Sequence, residues 1–232
     1  MSSFLSAQGV AKIFPRTEGD VVVLHDCDFH LAEGEAVAVV GSSGSGKSTL
    51  LNILGGLDTP SRGQVTFREQ PLRYGDHGAM QRWRTSGVGF VFQFHFLLPD
   101  FTARENLLIP VRAQRQVTAE DEERAHHFLD VMGLADRSGH LPGELSGGEQ
   151  QRVAVARAFM NKPAIVLADE PFGNLDQEIG ARLGDLLFSI RQRESTSLVI
   201  VTHDPGLARR ADRTLRLDCG QLRPFEEDRD NI

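Results

Sequence analysis

The chain has 232 residues, 40% of them apolar and 25% charged, with a formal net charge of −7, which suits one folded domain with a sizeable core. The acidic balance counts against a dedicated nucleic-acid surface, which carries a basic excess. Cys27 and Cys219 are the only cysteines and lack metal-ligand spacing, so a disulfide framework is set aside and a reducing compartment is expected.

The N-terminal MSSFLSAQGVAKIF has neither the basic leader nor the long apolar run of a signal peptide. No segment approaches the ~18 consecutive apolar residues of a spanning helix. Any membrane in this protein's work is therefore expected to come with another chain. The first 35 residues and Gly63–Phe67 read as strands of a small antiparallel lobe.

Ala36–Val40 (AVAVV) begins a different pattern, shared with Val88–Phe92, Ala164–Ala168 and Leu198–Thr202. Each run is short and β-branched or apolar, as buried strands are. Each ends at a polar or glycine-rich motif: Gly41 onward, Gln93, Asp169–Glu170 and His203. Ligands of open α/β sheets bind beyond the carboxyl ends of the strands, so these motifs are expected to converge on one ligand. The expected fold class is α/β with a parallel-sheet core.

Gly41-Ser-Ser-Gly-Ser-Gly-Lys47-Ser48 fits G-x-x-x-x-G-K-[ST]. Its glycines let backbone N–H groups turn inward around phosphate oxygens, and a helix predicted over Ser48–Leu57 adds its positive dipole end. Lys47 is then placed to reach the β- and γ-phosphates, and Ser48 to hold Mg²⁺. A flexible Gly/Ser turn is the plain alternative, but a chance match in a chain this long is roughly one per cent.

Phe90, Phe92, Phe94 and Phe96 alternate, which reads as a strand with one aromatic face. Apolar residues persist at Leu97, Leu98 and Phe101, either as core or as a groove that receives a short apolar helix from a partner. Ala125, Phe128, Leu129 and Met132 follow helical spacing, with Thr118 as N-cap and Gly133 as C′ residue. Ile179, Leu183, Leu186, Leu187 and Ile190 form a second helical stripe; both stripes read as core packing. Arg213–Leu222, with a Cys-Gly turn, reads as a closing hairpin.

Asp169 and Glu170 are adjacent carboxylates at the end of a buried strand, where they resist desolvation unless a cation or donors are present. Beside a phosphate loop the obvious cation is Mg²⁺ on a nucleotide, which Asp169 is placed to hold while Glu170 can orient or deprotonate a water; a cap on the next turn is the plain alternative. Leu145-Ser-Gly-Gly-Glu-Gln150 opens a further helix and makes a second anion site. Helix starts on opposite lobes cannot grip one nucleotide within one chain. A head-to-tail dimer resolves this, each nucleotide lying between one chain's phosphate loop and the other's LSGGE.

With these motifs in place the chain resembles the ABC (ATP-binding cassette) ATPase family along nearly its whole length. The resemblance implies a P-loop ABC-type nucleotide-binding domain over 1–232, with a small antiparallel β lobe and a helical lobe over roughly 94–160. It implies ATP contacts at Gly41, Ser42, Gly44, Gly46, Lys47, Ser48 and Thr49, and Phe14 stacked on adenine. Gln93 would join Mg²⁺ to the partner interface, and His203 would sense the γ-phosphate. Ser146 and Gly148 would meet the γ-phosphate of the opposite nucleotide, with Asp176 in the adjoining D-loop. The cofactors implied are ATP and Mg²⁺, with catalysis by Glu170, His203 and Gln93 and metal contacts from Ser48, Gln93 and Asp169. Three positions depart from the commonest pattern: Glu149 for glutamine, Phe14 for tyrosine and Phe172 for threonine. None removes a reacting group, so ATPase activity is expected.

Within the family, QFHFLLPDFTAREN is most similar to the group that powers lipoprotein release, with MacB-type exporters second and FtsE-type division factors third. That implies a homodimer on the cytoplasmic face of the inner membrane, integral membrane partners, a lipoprotein cargo handled by those partners, and no nucleic acid. A soluble ABC-type ATPase of DNA repair or translation is the rival class. Between Lys47 and Leu145 the chain has neither the long coiled coil nor the zinc cysteines of repair types, and it has one cassette where translation types have two. A non-catalytic regulator fits poorly with intact Lys47, Asp169, Glu170 and His203.

Overall fold

Strands that are apolar on both faces need cover above and below, and that requirement organises the molecule. The computed structural model describes residues 4–17 and 19–225. In chain order the strands are β1 (Leu5–Phe14), β2 (Val21–Leu31), β3 (Ala36–Val40), β4 (Arg62–Phe67), β5 (Gln70–Pro71), β6 (Val88–Phe92), β7 (Ile165–Asp169), β8 (Ser197–Val201), β9 (Arg213–Asp218) and β10 (Gln221–Pro224). The helices are α1 (Lys47–Leu54), α2 (His77–Arg82), α3 (Ala103–Arg112), α4 (Ala119–Val131), α5 (Gly147–Phe159), α6 (Gln177–Arg193) and α7 (Pro205–Ala208).

The larger sheet runs β10-β9-β3-β8-β7-β6. It is parallel except for the edge strand β10, which pairs antiparallel with β9. The smaller sheet, β2-β1-β4-β5, is antiparallel throughout, as expected for that lobe. Register matters most for function. Phe92 pairs with Asp169, Asp169 with Val201, and Val201 with Val39. The carboxyl ends of β3, β6, β7 and β8 are therefore level, and the motifs that follow them emerge at one edge.

Alternate residues of the central strands feed two cores. Ala36, Ala38, Val166, Ala168, Leu198 and Ile200 join the core built with α3–α6. Val37, Val39, Ile165, Leu167, Val199 and Val201 join the core built with α1 and the antiparallel lobe. A one-residue slip in any of these strands would exchange its two faces.

The predicted helix boundaries at Thr118 and Gly133 hold: Thr118 caps α4 in a box with Asp121, and Gly133 lies at φ +65°. In the closing hairpin Cys219 (φ +47°) and Gly220 (φ +75°) form the left-handed pair that a two-residue turn requires.

Four expectations need correction. The strands predicted over Ala164–Ala168 and Leu198–Thr202 are displaced by one residue, to β7 and β8, because hydrogen-bond register rather than side-chain polarity sets the ends. Helix α1 stops at Leu54, where the Gly55–Gly56 pair ends it, three residues before the predicted Leu57. The aromatic strand ends at Phe92: Phe94 and Phe96 lie in the loop beyond it, 62% and 64% exposed. Of the stripe on α6, Leu183, Leu187 and Ile190 are buried but Ile179 is 42% exposed, because it sits in the first turn beside Gly148 rather than over the sheet.

Candidate active site

The loop between β3 and α1 is built to leave backbone donors free. Its N-cap, Gly46, has φ +103°, and a Cβ there would lie 2.9 Å from Val23 Cγ1. No side chain caps α1 and no acid occupies its first turn. Lys47 is buried and donates to the carbonyls of Gly41 (2.9 Å) and Ser42 (2.8 Å), so its charge is held over the loop. The Ser45 hydroxyl is buried without a hydrogen-bond partner; its place in the motif was legible, its orphaned state was not.

Across the sheet edge, Asp169 ends β7. Burial pushes its carboxyl up from the ordinary range, and the adjacent Glu170 charge pushes the same way; a hydrogen bond from Ser48 and the charge of Lys47 oppose them. Its Oδ1 is buried with no partner. An orphaned carboxylate oxygen beside a serine hydroxyl is a hard-oxygen donor pair, which is what Mg²⁺ takes from proteins alongside phosphate and water. The residues present fit that ion.

Glu170 is held in a conformation unusual for a side-chain-bearing residue, φ +44°. Its N–H donates to Val201 O at 2.9 Å, and its carbonyl accepts from Gly173 N–H at 3.1 Å. The carboxylate meets His203 twice, at Nδ1 (2.8 Å) and at the backbone N–H (3.3 Å). His203 is 70% exposed, whereas Glu170 is 18% exposed, so the pair opens outward from a firm base.

The other predicted residues divide by place. Gln93 donates from its amide to Asn174 Oδ1 (3.0 Å), and Asn174 returns a bond to Gln93 O (3.3 Å). The structure thus ties Gln93 to Asn174, two residues before Asp176. Asp176 caps α6 by accepting from Ile179 N–H at 2.9 Å. Phe14 ends β1 as an exposed ring with the Lys12 ammonium 4.9 Å from its centroid. Phe172 is buried and, with His203, Asp176 and Gly180, lines a cavity of ≈ 280 Å³.

Ser146 and Gly148 stand at the start of α5. Ser146 accepts from Glu149 N–H (3.3 Å), while Glu149 Oε2 accepts from Ser146 N–H (2.7 Å) and from its hydroxyl (2.8 Å). These bonds hold the Glu149 carboxyl below the usual range. Helix α1 buries its apolar face in one core and α5 in the other, so the two glycine-rich helix starts belong to opposite faces of the sheet.

Three polar residues escaped sequence reasoning. Asn106, fully buried, binds the main chain at Leu98, Phe101 and Thr102. Gln151, also buried, reaches Phe92, Pro171 and His95. Arg157 holds the carbonyls of His95 and Phe96. The available signal was a polar side chain inside an apolar helical run, as in QRVAVARA.

Comparison with known proteins agrees with this fold. The family described as ABC transporter matches residues 24–173. The Lipoprotein-releasing system ATP-binding protein LolD of Chromohalobacter salexigens is 46% identical over 218 residues, covering 94% of this chain and 92% of that protein. The protein of the same name from Bordetella pertussis is 46% identical over 220 residues, covering 95% of each. Among solved structures, the ATP-binding cassette MJ0796, a dimer in a post-hydrolysis state bound to ADP and Pi, superposes with a TM-score of 0.87 at 35% identity, over 96% of this chain and 99% of that one.

Proposed function

This chain belongs to the ABC transporter family as an ATP-hydrolysing subunit, and from that premise we propose that it works as a homodimer driving lipoprotein release by membrane partners. The observation that carries the site assignment is the level edge of the sheet. It gathers an uncapped phosphate loop, the orphaned Asp169 oxygen and the Glu170–His203 pair.

Lys47 exchanges the carbonyls of Gly41 and Ser42 for β- and γ-phosphate oxygens, and the first-turn N–H groups of α1 complete the cradle. Ser48 and Asp169 would hold Mg²⁺, which neutralises charge on the phosphates. Glu170 orients the attacking water and takes its proton, with His203 steadying the carboxylate. Phe14 supplies an aromatic face for adenine. Ser146 and Gly148 of the second protomer close over the γ-phosphate, so ATP favours the closed dimer by its differential affinity for that state. Hydrolysis removes the bridge and lets the dimer open. The whole of 1–232 acts as one nucleotide-binding domain in this reading.

The lipoprotein cargo is supported by the two 46%-identical LolD proteins. Among the described residues no helix is long and apolar enough to cross a membrane. Attachment to the cytoplasmic face of the inner membrane would come through partner subunits, with Phe94, Phe96 and Leu98 as the apolar contact.

The test is Glu170→Gln. Steady-state turnover is expected to fall by about 10²- to 10⁴-fold while ATP traps the dimer. Mass spectrometry of membrane proteins retained by the trapped dimer should then recover subunits with large periplasmic domains and bound lipoproteins. Unchanged turnover would sink the general-base role. Recovery of an efflux or division partner would replace the cargo and leave the chemistry standing.

A further inference from the structure

Gln151 touches three segments that a hydrolysis cycle must keep in step. It lies in α5 and is 1% exposed. Its amide nitrogen donates to Phe92 O at 3.1 Å and to Pro171 O, and its amide oxygen faces His95 Nδ1 at 3.0 Å. Phe92 immediately precedes Gln93, and Pro171 immediately follows Glu170.

The amide's orientation follows from its partners. Main-chain carbonyls only accept, so both must be served by the two N–H donors of Gln151. The remaining oxygen can only accept, and His95 must therefore present Nδ1–H. Burial, with the nearby Arg157 charge, holds His95 below its ordinary pKa, which favours the neutral ring. The loop is also gripped from a second point on α5: Arg157 donates to Phe96 O (2.7 Å) and His95 O (2.8 Å).

Between these anchors stand the exposed rings of Phe94 and Phe96. At the far end of the Gln151 amide is the turn that keeps Glu170 at positive φ, a conformation that persists only where surrounding contacts enforce it. We propose that Gln151 is a positioning residue for hydrolysis, tying the loop that bears Phe94 and Phe96, through His95, to the turn that aims Glu170. Displacement of that loop by a docked apolar helix then shifts Glu170 without altering the phosphate loop. The proposal rests on the reading of Glu170 as the group that orients water.

The link can be cut at its half-buried end. His95→Leu removes the donor and leaves the bonds of Gln151 to Phe92 and Pro171 in place; His95→Gln puts an amide donor back. In steady-state ATPase assays of the full chain, His95→Leu should lower kcat about three- to tenfold, the worth of one hydrogen bond, with KM for ATP changed by less than about twofold. His95→Gln should recover most of that loss, and Gln151→Glu, which loses both N–H donors and faces two carbonyls with a carboxylate, should exceed it. Nitrogen-15 NMR of the unmodified chain should find the His95 proton on Nδ1. Wild-type kcat in His95→Leu, an equal loss in His95→Gln, or a proton on Nε2 would each overturn the proposal while normal wild-type turnover keeps the ATPase reading intact. Absence of wild-type turnover would overturn that reading and this proposal together.

Discussion

The two glycine-rich helix starts of this chain are finished in opposite ways. At α1 the N-cap is Gly46, no side chain caps the first turn and none of its own residues is acidic. At α5 the N-cap is Ser146, and Glu149 closes a capping box around it. The first leaves its donors open to an anion within a lone subunit. The second has already satisfied part of its end with its own carboxylate, so a phosphate that takes the Ser146 hydroxyl must displace a bond the chain makes to itself. Their carboxyls differ in the same sense: Asp169 beside α1 is pushed up by burial, and Glu149 is pulled down by its hydrogen bonds to Ser146. One end leaves polar atoms without partners and the other has paired its own.

The sharpest way to break this comparison is to add one methyl group at each end. In Gly46→Ala the new carbon meets Val23 at 2.9 Å and the backbone sits at φ +103°, so ATP affinity of the subunit should fall by at least about tenfold. In Gly148→Ala the nearest atom is Ile179 Cγ2 at 3.6 Å, so ATP binding to the subunit should stay within about twofold. Titration with a fluorescent nucleotide decides it; equal losses would mean that α1 is not the primary phosphate site.

A smaller effect separates stability from activity. With its pKa raised, Asp169 binds more protons folded than unfolded, so its ionised form costs stability, increasingly as pH rises through the folded value. Asp169→Asn should therefore raise the thermal midpoint of the nucleotide-free subunit at pH 7 by about 2–4 °C while abolishing turnover. A lower midpoint would show that the carboxylate is already compensated without a cation.

The smallest effect concerns Glu149, whose depressed pKa contributes stability above its unfolded value near about 4.3 and loses it as pH falls through the folded one. Glu149→Gln should flatten that acid limb in a thermal-midpoint titration. It should also tighten ATP-driven dimerisation about two- to fivefold by removing a negative charge from the helix end. A looser dimer in sedimentation would mean that the carboxylate assists closure.

Much of this architecture was legible residue by residue. AVAVV and the three runs like it identified themselves as strands buried on both faces, and the phosphate loop and the carboxylates declared themselves by type and spacing. The aromatic alternation misled: Phe94 and Phe96 continue the period of Phe90 and Phe92, but the strand has ended and Arg157 has taken hold of the main chain. Ile179 misled for a related reason, since helical spacing places it on the core face one turn before the helix reaches the core.

By itself the sequence determined which residues can do chemistry and in what order they follow their strands, because those properties are local: residue type, spacing and the period of burial. Only the tertiary structure decided that Phe92, Asp169, Val201 and Val39 stand level, that Glu170 is bent toward His203, and that Gln151 joins His95 to Pro171. These are contacts between segments far apart in the chain. They are chosen by strand register and by the need of buried polar groups for partners, and neither requirement leaves a periodic mark in the order of the residues.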